Sequence, residues 1–196
     1  MNTEGTLKYA IVEYTTNKNF CNIYDAIAIE RLEWEVVSYD REKRAHIDRA
    51  NAYLPIIRCK LLVHQVLTGV AYKQGWKMEV FGGSFRDGSI ESRLFKVEYD
   101  PGADGKFARF PFRLSINIGP GKKTATGGIA PEGKPTTSLW MRFPDDDWVG
   151  ICLEMRDFLL VHQRDLENVR RSEQLTRLAS RRKDTTSNSN GRSVAA

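Results

Sequence analysis

Cysteine, histidine and long apolar runs are all scarce in this chain of 196 residues. Its cysteines, Cys21, Cys59 and Cys152, are odd in number and far apart, with no Cys-x-x-Cys pair, so neither a disulfide framework nor a zinc ribbon is expected. No stretch approaches the roughly 18 apolar residues of a membrane span. The first residues also lack the basic-then-apolar layout of a signal peptide. These absences predict a soluble, reduced, cytoplasmic protein that does not bind membranes.

Recognisable catalytic and metal-binding motifs are also missing. Of the histidines, His46, His64 and His162, the last two lie on apolar faces of predicted helices and are interpreted as packed core or boundary residues instead of metal ligands. Segment 128–134 matches the GxxxxGK pattern of a phosphate loop, but Pro135 stands where the magnesium-binding Ser or Thr belongs, and a predicted strand follows instead of a helix. We therefore expect no enzymatic activity, no cofactor and no metal site.

The composition does support a folded, basic protein. Hydrophobic residues make up 41% of the chain and aromatic residues 10%, which is enough to build a core. Lys and Arg number 30 against 25 Asp and Glu, so the formal net charge is +5. A mild excess of this sign favours a polyanionic partner. The length suits one large domain or two small ones.

The first half of the chain is the harder half to interpret. Segment 7–14 is rich in aliphatic, aromatic and β-branched residues and predicts a strand, while 22–39 fits either strands or short helical turns, with strands favoured. Segment 43–73 predicts a helix that starts or kinks at Pro55 and ends at Gly75. The apolar residues at three- and four-residue spacing that indicate this helix are Ala50, Leu54, Ile57, Leu61, Leu62, Val66 and Val70.

The second half predicts four strands and a helix. The strands are 76–81, 93–99, 107–118 and 138–143, of which the third alternates without a break from Ala108 to Ile118. Acids at 145–147 cap a helix with an apolar stripe from Trp148 to Val169. The predicted fold is α+β, with antiparallel sheets of about four strands each followed by a long helix. Residues 1–180 form one domain with a pseudo-repeat (7–75 and 76–180), and 181–196 form a flexible polar tail.

One face of the second predicted sheet interleaves aromatic rings with Arg and Lys, and the long loop 119–137 adds lysines. Single-stranded nucleic acid needs this combination, because bases stack on the rings while cations follow the phosphates. The candidate nucleic-acid-binding residues are Lys77, Phe81, Lys96, Phe107, Arg109, Arg113, Lys122, Lys123, Lys134, Trp140 and Arg142.

Two other interpretations stay open. The same face fits a contact with a partner subunit, as in a viral assembly or host-factor-binding protein, and the basic loop fits a solvated hairpin tip. An enzyme acting on nucleic acid would need acids such as those at 145–147, which a helix cap explains better. The last helix has a basic end, and its apolar stripe is longer than one small sheet can cover, so a homo-oligomer is expected.

A family resemblance supports nucleic-acid binding. Segment 141–155 (MRFPDDDWVGICLEM), after four antiparallel strands, resembles the end of single-strand binders of the transcriptional positive-cofactor-four type. The strands–helix–strands–helix order over 7–180 looks like the Whirly and Pur-type fold, and a phage or mobile-element member of this group fits as well. The resemblance implies that the protein binds single-stranded DNA or RNA across its sheets and forms oligomers. We expect DNA rather than RNA as the partner, with little sequence specificity, because stacking accepts every base.

Overall fold

The chain folds into two antiparallel sheets and two helices, which confirms the predicted α+β class. The computed structural model describes residues 8–40, 42–43, 45–86 and 88–190, with the backbone alone at 86, 166, 167, 170 and 173–190. The chain divides after Arg156 into two compact units. The first unit holds both sheets, the first helix and the start of the second helix. The second unit holds the rest of that helix.

The first sheet is a four-stranded meander at the N-terminal end of the chain. Its strands are β1 (Ala10–Thr15), β2 (Asn19–Ala26), β3 (Arg31–Asp40) and β4 (Ala45–Pro55), in that spatial order. The preference for strands over 22–39 is therefore confirmed. Leu7, at the start of the first predicted strand, lies outside the described residues. β3 is buried on both faces from 32 to 37, so it forms the centre of this sheet.

The helix predicted over 43–73 is wrong in its first third and at its end. Residues 45–55 form β4, and α1 spans only Ile56–Leu67. Ala50 and Leu54 are both fully buried, but together with Ala52 they share the inward face of a strand instead of a helix face. Pro55 has no N–H to donate to the sheet and marks the boundary. Ile57 is consequently 70% exposed, and the helix ends before a left-handed glycine at position 69, not at 75.

The second sheet contains the four strands predicted for the second half of the chain. They are β5 (Lys77–Arg86), β6 (Ser89–Tyr99), β7 (Phe112–Lys123) and β9 (Thr137–Phe143), while the short β8 (Ile129–Pro131) pairs with the end of β7. The third predicted strand was placed too early, because 107–111 lie in a loop. Phe110, predicted to be buried, is 46% exposed there.

A cluster of fully buried aromatic side chains joins the two sheets. Trp34 of β3 meets Phe95 of β6, with ring centroids 5.1 Å apart. The Trp148 ring stacks on Phe112 at 5.6 Å and packs against Phe143 at 4.9 Å. Burial of aromatic surface on this scale dominates core energetics. The inner faces of both sheets and the beginning of the second helix therefore form one core.

The second helix, α2 (Asp145–Asn190), begins with the three acids predicted to cap it. Asp147 also accepts a hydrogen bond from the Tyr14 hydroxyl of β1 at 2.7 Å. In the second unit, Leu160, Val161 and Val169 are exposed. The predicted tail has a helical backbone over 181–190, and 191–196 lie outside the described residues. No helix in the described part of the chain is long and apolar enough to cross a membrane.

Candidate nucleic-acid interface

The face of the second sheet that points away from the core, called the outer face here, carries three rows of side chains. Antiparallel pairing fixes these rows, because residues opposite each other on neighbouring strands project to the same side. The rows run from β5 to β9 and consist of Lys77, Glu98, Arg113 and Arg142; Glu79, Lys96, Ser115 and Trp140; and Phe81, Leu94, Asn117 and Ser138. The register therefore brings six of the eleven predicted residues onto one surface.

Trp140 lies at the β9 end of the middle row. Its side chain is 50% exposed, and the Arg113 guanidinium carbon lies 5.2 Å from the ring centroid. This cation–π contact orients the indole while leaving much of the ring accessible. Phe81, at the other side of the sheet, is 54% exposed. The outer face thus presents an aromatic ring at each side, with polar and charged residues between them.

The cations of the outer face are paired with carboxylates of the same face. Lys77 Nζ lies 3.2 Å from Glu79 Oε1, and Arg113 Nη1 lies 3.4 Å from Glu98 Oε1. Lys96 forms a further ion pair with Glu98. Three cations therefore share two carboxylates. Partly exposed pairs of this kind contribute about 0–1 kcal/mol each, so a phosphate can compete for these cations.

Arg142 plays a structural part that the sequence did not reveal. Its guanidinium donates hydrogen bonds to the backbone oxygens of Asp100 and Phe110, at 2.8 and 3.2 Å, and to the Asp100 carboxylate. It also lies 3.7 Å from the centroid of the Phe107 ring. The hydrogen bonds from Arg142 lower the pKa of Asp100. Arg142 and Phe107 thus fasten loop 100–111 to the end of the outer face.

Replacing Arg142 by alanine should loosen this loop. Loss of hydrogen bonds from a charged group predicts a decrease of about 1–3 kcal/mol in the free energy of unfolding. Arg142→Lys should behave similarly, because an ammonium cannot bridge two carbonyls and a carboxylate in one plane. Limited trypsin digestion read by mass spectrometry should then show faster cleavage after Lys106 or Arg109, with Lys77→Ala as the control. A loop as resistant as in the wild type would contradict this role.

The basic loop between β7 and β9 folds back over the other end of the outer face. A Cβ on Gly121 would lie 3.0 Å from the Ile129 side chain, and one on Gly83 would lie 2.8 Å from it. The glycines therefore admit the loop against the sheet. Lys134 lines a cavity of about 200 Å³ together with Leu94 and Asn117 of the third row. This loop borders the outer face instead of projecting from it as a free flap.

The predicted binding residues therefore lie in different parts of the structure. Lys77, Phe81, Lys96, Arg113 and Trp140 share the accessible outer face, and Lys134 lies beside it. Arg142 and Phe107 are engaged with each other at its end. Arg109 is exposed on loop 100–111, and Lys122 and Lys123 are exposed at the end of β7, where it pairs with β8. Arg109 left the predicted face because β7 begins only at residue 112.

A cleft beside the free edge of β9 was not foreseen. It has a volume of about 720 Å³ and places Tyr39 of β3 and Lys18 of the turn between β1 and β2 across from Trp140. Asn19 Nδ2 donates a hydrogen bond to the Trp140 carbonyl at 3.2 Å and joins the two sheets there. No local sequence pattern in β2 or β9 indicates the contact between Asn19 and Trp140, because only tertiary packing brings these residues, 121 positions apart, together.

The first sheet presents a different electrostatic surface. Glu33 and Glu35 both project outward from β3, yet each is only 3% exposed. Burial alone would raise the pKa of Glu33, but hydrogen bonds from Lys8 and Asn51, both at 2.7 Å, outweigh it and lower the pKa. Glu35 forms an ion pair with Arg49. Both carboxylates are therefore buried and neutralised, and the more exposed partner in each ion pair is the cation, Lys8 or Arg49.

The described residues offer little for covalent or metal chemistry. Burial raises the pKa of the Cys21, Cys59 and Cys152 thiols to about 12, which keeps them protonated and unreactive at neutral pH. No group of three or more His, Cys, Asp or Glu side chains in the described ranges is arranged to hold a metal ion.

Fold and surface together define an α+β protein whose second antiparallel sheet exposes aromatic rings among paired cations. No protein-family model and no curated protein matches the chain. Among solved structures, it is similar to the crystal structure of the Whirly protein WHY3 from Arabidopsis thaliana, at 11% identity and a TM-score of 0.48. The match covers 81% of this chain and 89% of that chain. The likeness is one of layout, in the order of strands and helices.

Proposed function

We propose that the protein binds single-stranded nucleic acid, DNA in preference to RNA, on the outer face of the second sheet. Bases stack on Trp140 and Phe81, and phosphates contact Lys77, Lys96 and Arg113. The observation that carries this proposal is the half-exposed Trp140 ring, held by a cation–π contact within rows of charged side chains. An aromatic platform among cations is the arrangement that sequence-tolerant single-strand binders use.

Several properties follow from this mode of binding. Sequence specificity is low, because every base has a face that can stack. The protein acts by binding alone, without catalysis, metal or cofactor, and it works as a homo-oligomer in the cytoplasm. Its three free, buried cysteines suit a reducing compartment.

The proposal is tested by titrating a fluorescently labelled dT oligonucleotide at two salt concentrations, roughly 50 and 300 mM. Micromolar or tighter binding is expected at low salt. Single-strand affinity falls with the logarithm of salt by a slope of about −0.7 per phosphate contact. Three contacts therefore predict about 40-fold weaker binding at the higher salt. Unlabelled duplex of the same length should compete poorly.

The alternative function is contact with another protein subunit. Phe81, Phe85 and Trp140 are all exposed on this side of the second sheet, and its cations already have carboxylate partners. An interface would produce self-association by light scattering that Trp140→Ala abolishes, with no oligonucleotide binding at low salt. That combination would replace the nucleic-acid proposal.

A further inference from the structure

A separate cavity opens between the two sheets, at the side where β4 and β5 are the edge strands. It has a volume of about 280 Å³. Val80 of β5 and Ile29 form the accessible part of its apolar floor, and Leu54 of β4 and Phe95 of β6, which also line it, are fully buried. The cavity exists because the neighbouring inward positions hold small residues, Ala52, Gly82 and Ser84, where other parts of the core have large ones. The space is therefore enclosed by apolar groups on the inside and open at the edge.

Two arginines line the cavity, and they differ in whether a carboxylate balances their charge. Arg93 donates hydrogen bonds to the Glu91 carboxylate, at 2.7 and 2.9 Å, and to Asn51, so its charge is balanced and its position fixed. Arg31 is exposed, and its guanidinium donates a long hydrogen bond of 3.5 Å to the Tyr53 carbonyl. It forms no ion pair with any residue that the structure describes. Arg31 thus gives the mouth of the cavity an unbalanced positive charge.

The size and chemistry of the cavity limit its ligand. Pockets for drug-sized molecules have volumes of about 300–1,000 Å³, so this one suits a single small ring system. Apolar walls favour the ring, and a guanidinium at the mouth favours a phosphate, which it can bind through two hydrogen bonds. An uncharged ring would leave Arg31 unused, and an anion without a ring would leave the apolar floor empty.

We propose that this cavity binds one nucleotide, with its base against Val80 and Ile29 and its phosphate at Arg31. The choice of a nucleotide over other aromatic anions rests on the proposed function. β5 borders both the cavity and the outer face. A single-stranded nucleic acid that leaves the outer face at Phe81 therefore reaches the cavity by crossing the edge of the second sheet at β5. The source of the nucleotide is either that strand or a free mononucleotide, and both present the same base and phosphate.

Gly82 allows the cavity to be filled without strain. A Cβ at this position meets no atom within 4 Å, and its backbone does not have a positive φ. Gly82→Leu should therefore fold and occupy the space that the base needs. Gly82→Ala is the matched control, because one methyl group leaves most of the cavity open. Ser84→Val provides a second filling variant in case the leucine variant fails to fold, as judged by circular dichroism and thermal melting.

The probe is 5-fluoro-2′-deoxyuridine monophosphate, followed by ¹⁹F NMR as protein is added. The wild type and Gly82→Ala should shift or broaden the signal, and the folded filling variant should bind at least tenfold more weakly. Arg31→Gln should weaken the monophosphate about tenfold, bringing it close to the uncharged nucleoside. No change in the wild-type signal at about millimolar ligand, or equal binding by a folded filling variant, would overturn the proposal.

Oligonucleotides identify the source and separate this inference from the proposed function. A dT oligonucleotide with one terminal 5-fluorouracil should give the same bound signal if the strand supplies the nucleotide, and Gly82→Leu should remove it. A mononucleotide signal without any oligonucleotide binding would support the cavity and contradict the function proposed for the outer face. Oligonucleotide binding that Gly82→Leu leaves unchanged, with no mononucleotide signal, would support the function proposed for the outer face and contradict the nucleotide site in the cavity.

Discussion

Replacing Trp140 by alanine is expected to weaken binding of a dT oligonucleotide by about 5- to 150-fold. The range follows from the roughly 1–3 kcal/mol that one base–aromatic stack contributes to single-strand binding. The ring is 50% exposed and held beside Arg113, so it stands ready for stacking before a ligand arrives. Anisotropy titration at low salt measures the change, and quenching of tryptophan fluorescence should disappear in the same variant.

Two controls make this expectation specific. Tyr9, an exposed aromatic residue in the first unit outside the second sheet, is 67% exposed, and Tyr9→Ala should leave the affinity within about twofold. Trp140→Phe keeps a smaller ring and should lose less affinity than the alanine variant. Equal affinities for wild type and Trp140→Ala would place the binding surface elsewhere.

Replacing Trp148 by alanine should have the largest effect on stability, a decrease of about 3–5 kcal/mol in the free energy of unfolding. The side chain is fully buried and contacts Phe112, Phe143 and Trp34, which come from both sheets. The cavity left behind would therefore separate three elements at once. Because domains have unfolding free energies of about 5–15 kcal/mol, the variant should be close to the limit of folding.

Guanidinium denaturation followed by circular dichroism measures this effect. Trp148→Phe should recover part of the loss, since a ring still fills much of the space. Trp140→Ala is the matched control, because its ring is half exposed and its removal leaves the core intact. A loss below about 1 kcal/mol for Trp148→Ala would contradict the central position of this residue in the core.

The second half of the fold could be predicted well because its strands alternate cleanly. Phe112, Leu114 and Ile116 face the core as the period of two indicates. The alternation continues backward through Phe110 and Ala108, yet the strand begins only at Phe112. Arg142 and the backbone of loop 100–111 decide that boundary through contacts distant in sequence, which no local pattern expresses.

In the first half, the spacing of the apolar residues fits both a helix and a strand. Ala50 and Leu54 fit a helix with spacing four and a strand with spacing two, and the apolar residues of α1 follow without a gap. Pro55 marked the change correctly as a boundary, but the segment before it was taken for helix. The burial of Ala52 between them distinguishes the strand, because in a helix that residue would project to the opposite side.

The candidate site was predictable in its composition but not in its arrangement. Alternation alone placed Trp140, Arg113, Lys96 and Lys77 on a common face. It could not foresee that Arg113 pairs with Glu98, because that pairing depends on the register between β6 and β7. The other two pairs, Lys77–Glu79 and Lys96–Glu98, join residues two apart on one strand. Nor could it foresee the cleft beside β9 or the cavity beside β5, since both form where the two sheets meet.

The most direct test of the account is an NMR titration that follows the indole N–H signals. The chain has four tryptophans, so the spectrum of ¹⁵N-labelled protein should contain four such signals, with Trp140 assigned from Trp140→Phe. On addition of a dT oligonucleotide, the Trp140 signal should shift strongly, while those of the buried Trp34 and Trp148 stay in place. Binding that leaves Trp140 unmoved, or no binding at low salt, would contradict the outer face as the nucleic-acid interface.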